Sequence, residues 1–220
     1  MPTAAPPGNS YADNIAVTSR WQVDGRRAQR SVADAAMARW RQSPWPEGCL
    51  SVTCLLSTDG RLVLFYGQWT DEQSYQRHVT SLDQPATADR VDGLEPGVTH
   101  LDTVVTRPAG PPVSRTADGP FSGCVVLVTI ATDGPDQQLK AAEMITTVAA
   151  TPEPGAIGGQ IRFSLDGARL VLYAEWTSEE AHGEAITGST FGGPQGIFHG
   201  TPGIQGLSMH RYQLYRLATR

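Results

Sequence analysis

The chain has 220 residues, a formal net charge of -5, 40% hydrophobic and 18% charged residues, the make-up of an ordinary globular protein. Lys140 is the only lysine, and the other sixteen basic residues are arginines with no run among them, so the electrostatic footprint of a nucleic-acid binder is missing. No apolar stretch nears the roughly 18–20 residues of a membrane span, and the N-terminus lacks the basic and apolar regions of a signal peptide. These observations predict a cytoplasmic protein with a disordered tail over 1–12 and neither nucleic acid nor membrane as partner.

Residues 15–23 read as a β-branched strand that ends at Asp24 and Gly25. Ala28, Val32, Ala36 and Trp40 then recur every four residues, the stripe of an amphipathic helix. A Pro-rich turn leads to a strand over 50–56, and Asp59-Gly60 signals a hairpin into a third strand over 62–69. Thr70, Asp71, Glu72 and Gln73 have the spacing of a capping box, with Thr70 as the cap of a second helix. A closing strand covers 98–107. Cys49, Cys54 and Cys124 have no metal-ligand spacing; Cys49 and Cys54 are expected on opposite faces of one strand, and all three as reduced, buried thiols.

The same order returns. Residues 57–72 align without a gap to 164–179, with identities at Ser57/Ser164, Asp59-Gly60/Asp166-Gly167, Tyr66/Tyr173, Trp69-Thr70/Trp176-Thr177 and Glu72/Glu179. Gly48 matches Gly155, Asp24-Gly25 matches Asp133-Gly134, and Pro96-Gly97 matches Pro202-Gly203. In the second copy, strands are expected over 124–132, 160–165, 169–176 and 204–217. The first helix opens at Pro135 with Leu139, Ala142, Ile145 and Ala149 as its stripe, and Thr177 caps the second. Each copy is therefore β-α-β-β-α-β, the ferredoxin-like arrangement. The predicted architecture is α+β: repeat 1 over 13–107, a linker over 108–120, and repeat 2 over 121–220. The two are expected to pack sheet to sheet as an intramolecular dimeric α/β barrel, because each open sheet needs cover and fusion makes the association intramolecular.

A ferredoxin-like unit whose third strand ends in Trp69 or Trp176, followed by Thr, Glu and then Tyr75 or His182, resembles the dimeric α/β-barrel superfamily. Within it the match is to the antibiotic biosynthesis monooxygenases, and it covers nearly all of the chain, twice. The resemblance implies that Trp69 and Tyr75, and Trp176 and His182, line a substrate pocket. The family's Asn four residues before the Trp is replaced by Phe65 and Leu172, which the resemblance places among the substrate-binding positions. Near the places where haem-degrading members carry a second Trp and a His ligand, this chain has His78, Ala88 and Gln195, so no haem is implied.

Tyr75 and His182 fall in the first turn of a helix, where the dipole would hold His182 neutral, and either suits acid/base work on a phenol or enol. Exposed positions on the helix surface are the alternative for both. Trp69 and Trp176 read as stacking walls or as aromatics that close the strand-to-helix corner. Tyr66 and Tyr173 are further substrate-binding candidates on the strand face opposite the Trp, with one face toward the helices and the other toward the second sheet. His100 and His210 on the closing strands read as surface or interface histidines or as catalysts, and His199 in the glycine-rich stretch 192–206 as part of a flap.

No cofactor or metal motif occurs, so the expected cofactor is none and an oxidised substrate would supply its own electrons. The reading that follows is a cofactor-independent monooxygenase acting on an aromatic polyketide-type phenol or anthrone in bacterial secondary metabolism. Its alternatives are a polyketide cyclase on the same fold and a non-catalytic small-molecule-binding or scaffold protein. The expected partner is a small aromatic substrate, and the expected state a monomeric pseudo-dimer, with a homodimer as alternative.

Overall fold

A computed structural model describes residues 14–42, 44–81, 97–111, 122–151, 153–188 and 196–220. The tail over 1–12, most of the linker, Ala88, Pro96, residues 192–195 and Gln195 lie outside this set. In chain order come β1 (Ile15–Gln22), α1 (Gly25–Gln42), β2 (Cys49–Ser57), β3 (Leu62–Trp69), α2 (Glu72–Ser81) and β4 (Thr99–Pro108). They are followed by β5 (Cys124–Thr132), α3 (Pro135–Ala149), β6 (Ala156–Ser164), β7 (Arg169–Trp176), α4 (Glu179–Gly188) and β8 (Ile204–Thr219). The described residues thus form a mixed α+β protein of eight strands and four helices. No helix among them is long and apolar enough to cross a membrane.

The chain divides into two compact units, Met1–Val105 with Tyr212–Arg220, and Thr106–Arg211. In the first, β3 lies between β1 and β2, all antiparallel, and β2 pairs on its other side with Thr219 to Tyr212 of β8. Arg20 of β1 makes a bidentate pair with Asp102 of β4, at 2.8 and 2.6 Å. Strand alternation sends Val63, Phe65 and Trp69 to one face. There they meet Val32, Ala33, Ala36 and Met37 of α1 and Tyr75 of α2 in one core, so both helices cover the same face.

In the second unit β7 lies between β5 and β6, and β6 pairs with Thr106–Pro108 of β4. Its core joins Leu170 and Leu172 of β7 to Ile130, Ile161, Phe163 and to Ala141, Ala142 and Ile145 of α3. The expected α3 stripe is out of phase by one residue at its start. Leu139 is 54% exposed, and the buried positions are Gln138, Ala141, Ala142 and Ile145. Polar Gln138 takes the core position because its amide finds three acceptors there: Ser164 O at 3.1 Å, Ser164 Oγ at 3.2 Å and Arg169 O at 2.6 Å. Gln29 of α1 makes the matching three bonds to Ser57 O, Ser57 Oγ and Leu62 O at 3.1, 3.2 and 2.7 Å.

The two Asp-Gly turns share this node. Ser57 Oγ donates to Asp59 Oδ1 and accepts from the amide of Leu62, and Ser164 Oγ does the same with Asp166 and Arg169. Gly60 and Gly167 have φ of 79° and 74°, the left-handed region that the Asp-Gly pattern anticipates.

Two expectations are corrected. The caps are Asp71 and Ser178, one residue later than Thr70 and Thr177: Asp71 Oδ1 accepts from the Ser74 amide at 2.7 Å and Ser178 Oγ from the Ala181 amide at 3.1 Å. The Thr70 and Thr177 amides pair with Gly48 O and Gly155 O at 2.8 and 2.9 Å, which extends the strand-end pairing by one residue and starts each helix one residue later. Cys49 and Cys54 also share one core rather than opposite faces. A bulge between Cys49 and Ser51 offsets the alternation, so Cys49 stands opposite Trp69 and Cys54 opposite Phe65, which lie on the same face. All three cysteines are free and buried, as expected.

Candidate functional site

In the first unit Trp69 ends β3 and is 2% exposed, wedged under the first turn of α2. The Asp71 cap fixes where that turn begins, and so brings Tyr75 edge-on to Trp69 at 5.5 Å. His78, one turn on, lies against Trp69 at 5.1 Å and Trp40 at 6.0 Å, and Trp40 meets Trp45 at 5.7 Å. Trp45 is held by its indole N–H, which donates to Cys49 O at 2.6 Å. Burial lowers the pKa of His78 and raises that of Tyr75, so both are neutral in this layer near neutral pH. Phe65 faces the same side and packs on Trp21 at 4.8 Å.

In the second unit Trp176 ends β7 and is half-buried, and His182, 5% exposed, stands edge-on to it at 5.0 Å. His182 lies in the first turn of α4, which Ser178 caps. Arg211 of β8 donates from Nε to His182 Nδ1 at 2.8 Å, and its Nη1 is 3.9 Å from Glu179 Oε1. Burial first, and the Arg211 charge second, push the His182 pKa down to about 4. The neutral imidazole foreseen from the helix dipole is present, with those two causes at work. Leu172 is half-buried in the α3-facing core, where Ile197 and Phe198 pack against the same cluster.

Trp69, Phe65 and Tyr75 are thus brought together on the helix side of one sheet, and Trp176, Leu172 and His182 on the helix side of the other. Tyr66 and Tyr173 are not among them. Tyr66 sits opposite Thr18 and Thr53, and Tyr173 opposite Leu127 and Gln160, on the other face of their strands. His100 is exposed at the edge of the first unit, where Nε2 contacts Ser19 Oγ at 3.3 Å and Thr103 Oγ1 at 3.0 Å. His210 is half-buried, and His199 is exposed beyond Phe198. An open depression beside α4 is lined by Glu180, Gly183, Glu184, Ile186, Thr187 and Arg211. Arg211 is the residue of this site that the sequence did not single out: it lies 29 residues from His182, and only the fold joins them. Among the described residues no group of three or more His, Cys, Asp or Glu side chains is placed to hold a metal ion.

Neither a family model nor a curated protein matches the sequence. The fold, by contrast, is shared with solved structures of proteins described as anthrone oxidase-like or as putative monooxygenases. A structure described as an anthrone oxidase-like protein superimposes with a TM-score of 0.73 at 17% identity, over 94% of this chain and 93% of that one. A putative monooxygenase from Fusobacterium nucleatum subsp. nucleatum gives 0.62 at 12% identity over 96% of both chains. Another from Lactobacillus acidophilus gives 0.56 at 12% identity, over 94% of this chain and 97% of that one. At such identities the likeness is one of fold.

Proposed function

We propose that this chain is a monooxygenase that oxidises an electron-rich aromatic compound, a polyketide-type phenol or anthrone, in the cytoplasm of a bacterium and within secondary metabolism. The observation that carries the reading is the edge-on pair of a strand-end Trp and a first-turn helix residue, Trp176 with His182 and Trp69 with Tyr75. A flat aromatic ligand stacks on the indole face, and the residue at its rim reaches a phenolic or carbonyl oxygen. The shared fold with a structure described as anthrone oxidase-like supports the substrate class. The substrate supplies the electrons. For an anthrone, the ring methylene loses a proton and the resulting anion reduces O2; one oxygen atom ends as the new carbonyl and the other leaves as water with two hydrogens. The fold expected from the repeat, two units packed sheet to sheet as a barrel within one chain, belongs to the same proposal.

The second unit is the better seat. Trp176 is half-buried and its neighbour His182 has a charged partner, whereas Trp69 is closed over by Tyr75 and His78 with Trp40 and Trp45 behind. The first unit then serves chiefly as structure. Oxygen uptake with anthrone as probe, and no flavin or metal added, tests the reading: one O2 consumed per anthraquinone formed is expected. Conversion without oxygen would make the chain a cyclase, and failure to bind any aromatic by tryptophan fluorescence would make it a scaffold.

A further inference from the structure

We propose that Arg211 is a positioning residue that locks His182 as the neutral tautomer with its proton on Nε2, so that the second unit offers its ligand a hydrogen-bond donor and not a base. The inference rests on the reading above only in taking Trp176 as the wall of the site. A guanidinium has five N–H donors and no acceptor. With Arg211 Nε donating to His182 Nδ1 at 2.8 Å, Nδ1 must therefore present its lone pair, and a neutral ring then carries its one proton on Nε2. Protonating Nδ1 would turn a bond into a clash of two cations.

Arg211 is itself oriented. The Glu179 carboxylate lies 3.9 Å from its outer nitrogen, and Gly183 leaves the space in front of the guanidinium open, the nearest heavy atom to a Cβ built there being Arg211 Nη2 at 3.9 Å. Arg211 of β8 and the uncharged Trp176 of β7 face His182, Glu179 of α4 stands behind Arg211, and Glu180 and Glu184 of α4 line the same depression as Arg211. The charge that acts on the ring is the positive one of Arg211, and it disfavours an imidazolium. The ring's hydrogen bond among the described residues is the one at Nδ1, so the Nε2–H is the donor assigned to a ligand.

A neutral imidazole N–H cannot accept a proton at the same atom. Its use is to stabilise negative charge that develops on an oxygen, as a preorganised donor. The fitting ligand is a phenolate or enolate oxygen of a flat aromatic held against Trp176. His182 thus stabilises the deprotonated substrate, and the proton passes to solvent water.

The ring 15N shifts of His182 in the full chain test this. At neutral pH, Nδ1 is expected to show the unprotonated shift and Nε2 the protonated one, with no titration until pH falls toward about 4. In Arg211→Met the two tautomers are expected to mix and the midpoint to move back toward 6.5. A wild-type ring protonated on Nδ1 at neutral pH, or an Arg211→Met ring with the wild-type tautomer, would overturn the proposal, and the first of these needs no variant to fold. In oxygen uptake, His182→Gln, which keeps an amide donor, should retain at least about 10-fold more rate than His182→Ala, since one such donor is worth about 10²–10³. Equal loss in both would also overturn it. If anthrone is not oxidised at all, the functional reading fails while the tautomer is still decided by the spectra.

Discussion

The side-chain amide of Gln138 donates to both the carbonyl and the hydroxyl of Ser164, at 3.1 and 3.2 Å, and thereby pins the first turn of the second unit's first helix to the start of its hairpin turn. Gln138 is 2% exposed, so water cannot replace these partners. Gln138→Ala is expected to cost about 1–3 kcal/mol, the range for stranding buried polar partners. Gln29→Ala should cost a similar amount, because Gln29 makes the matching bonds to Ser57. Urea unfolding checks both; losses within experimental error of zero would mean that the node contributes shape and no stability.

Much of this was legible beforehand, and the misses have physical causes. The β-α-β-β-α-β order followed from hydrophobic period and turn chemistry, both local signals. Local reading put the caps at Thr70 and Thr177, but their amides are engaged by the backbone at Gly48 and Gly155, and Asp71 and Ser178 take over. Leu139 looked like core because propensity scores it apolar, yet Gln138 wins that position through three long-range acceptors. The bulge at Cys49 and Ser51 left no mark in residue type. At the site, the Trp-to-first-turn spacing was readable. The Arg211 partner was not, since a contact between α4 and β8 has no local signature.

Gly155 has φ of 84°, and a Cβ there would lie 2.7 Å from the Ala181 Cβ and 2.9 Å from Thr177 Oγ1. A left-handed non-glycine residue costs on the order of 1–3 kcal/mol before any clash is counted. Gly155→Ala should therefore destabilise the fold by at least that much and push α4 away from β7, which would weaken the Trp176–His182 contact. Gly110, with nothing within 4 Å of a built Cβ, is the control; Gly110→Ala should stay within about 0.5 kcal/mol of wild type. Thermal melts of the two variants, with His182 ring shifts for the first, give the comparison.

The folded-state pKa of His182 lies at about 4 against an ordinary 6.5, so the unfolded chain takes up the proton first as pH falls. Its contribution to stability is fully present above 6.5, declines between 6.5 and about 4, and is gone below that. His78, also lowered by burial, acts with the same sign. Asp71 and Asp166 have depressed values too, and their contributions fade only below the ordinary 3.8, outside the histidine window. Urea midpoints from neutral pH down to about 4 should fall in the wild type and fall less in His182→Gln. A flat wild-type profile across that window would show that the folded imidazole titrates normally.

Tyr75→Phe and His182→Ala separate the two units. If the second is the seat of chemistry, His182→Ala should slow oxygen uptake by about 10²-fold or more, while Tyr75→Phe stays within a few-fold. The reasoning is steric as well as chemical: Trp69 is 2% exposed beneath Tyr75, so a ligand reaches its face only if that layer opens. The converse outcome would move the seat to the first unit, and equal losses would refute a single working half.

Thiol reactivity reports on the cores independently of any ligand. Burial pushes Cys49 and Cys54 up to about 12, with a hydrogen bond with the Ser51 backbone opposing it at Cys49 and the Arg216 charge opposing it at Cys54. The thiolate is the reactive form, so at mildly alkaline pH its population in the folded chain is on the order of a thousand-fold below that of a free cysteine of pKa about 8.5. Cys124, at 1% exposure, is shielded from reagent. An aromatic disulfide reagent should therefore label the native protein only as fast as the fold opens. The rate should rise with urea in parallel with unfolding and be faster in Gly155→Ala than in wild type. One thiol per chain that reacts in the native state at the rate of a free cysteine would show that a core is open on that timescale, and its identity by mass mapping would say which.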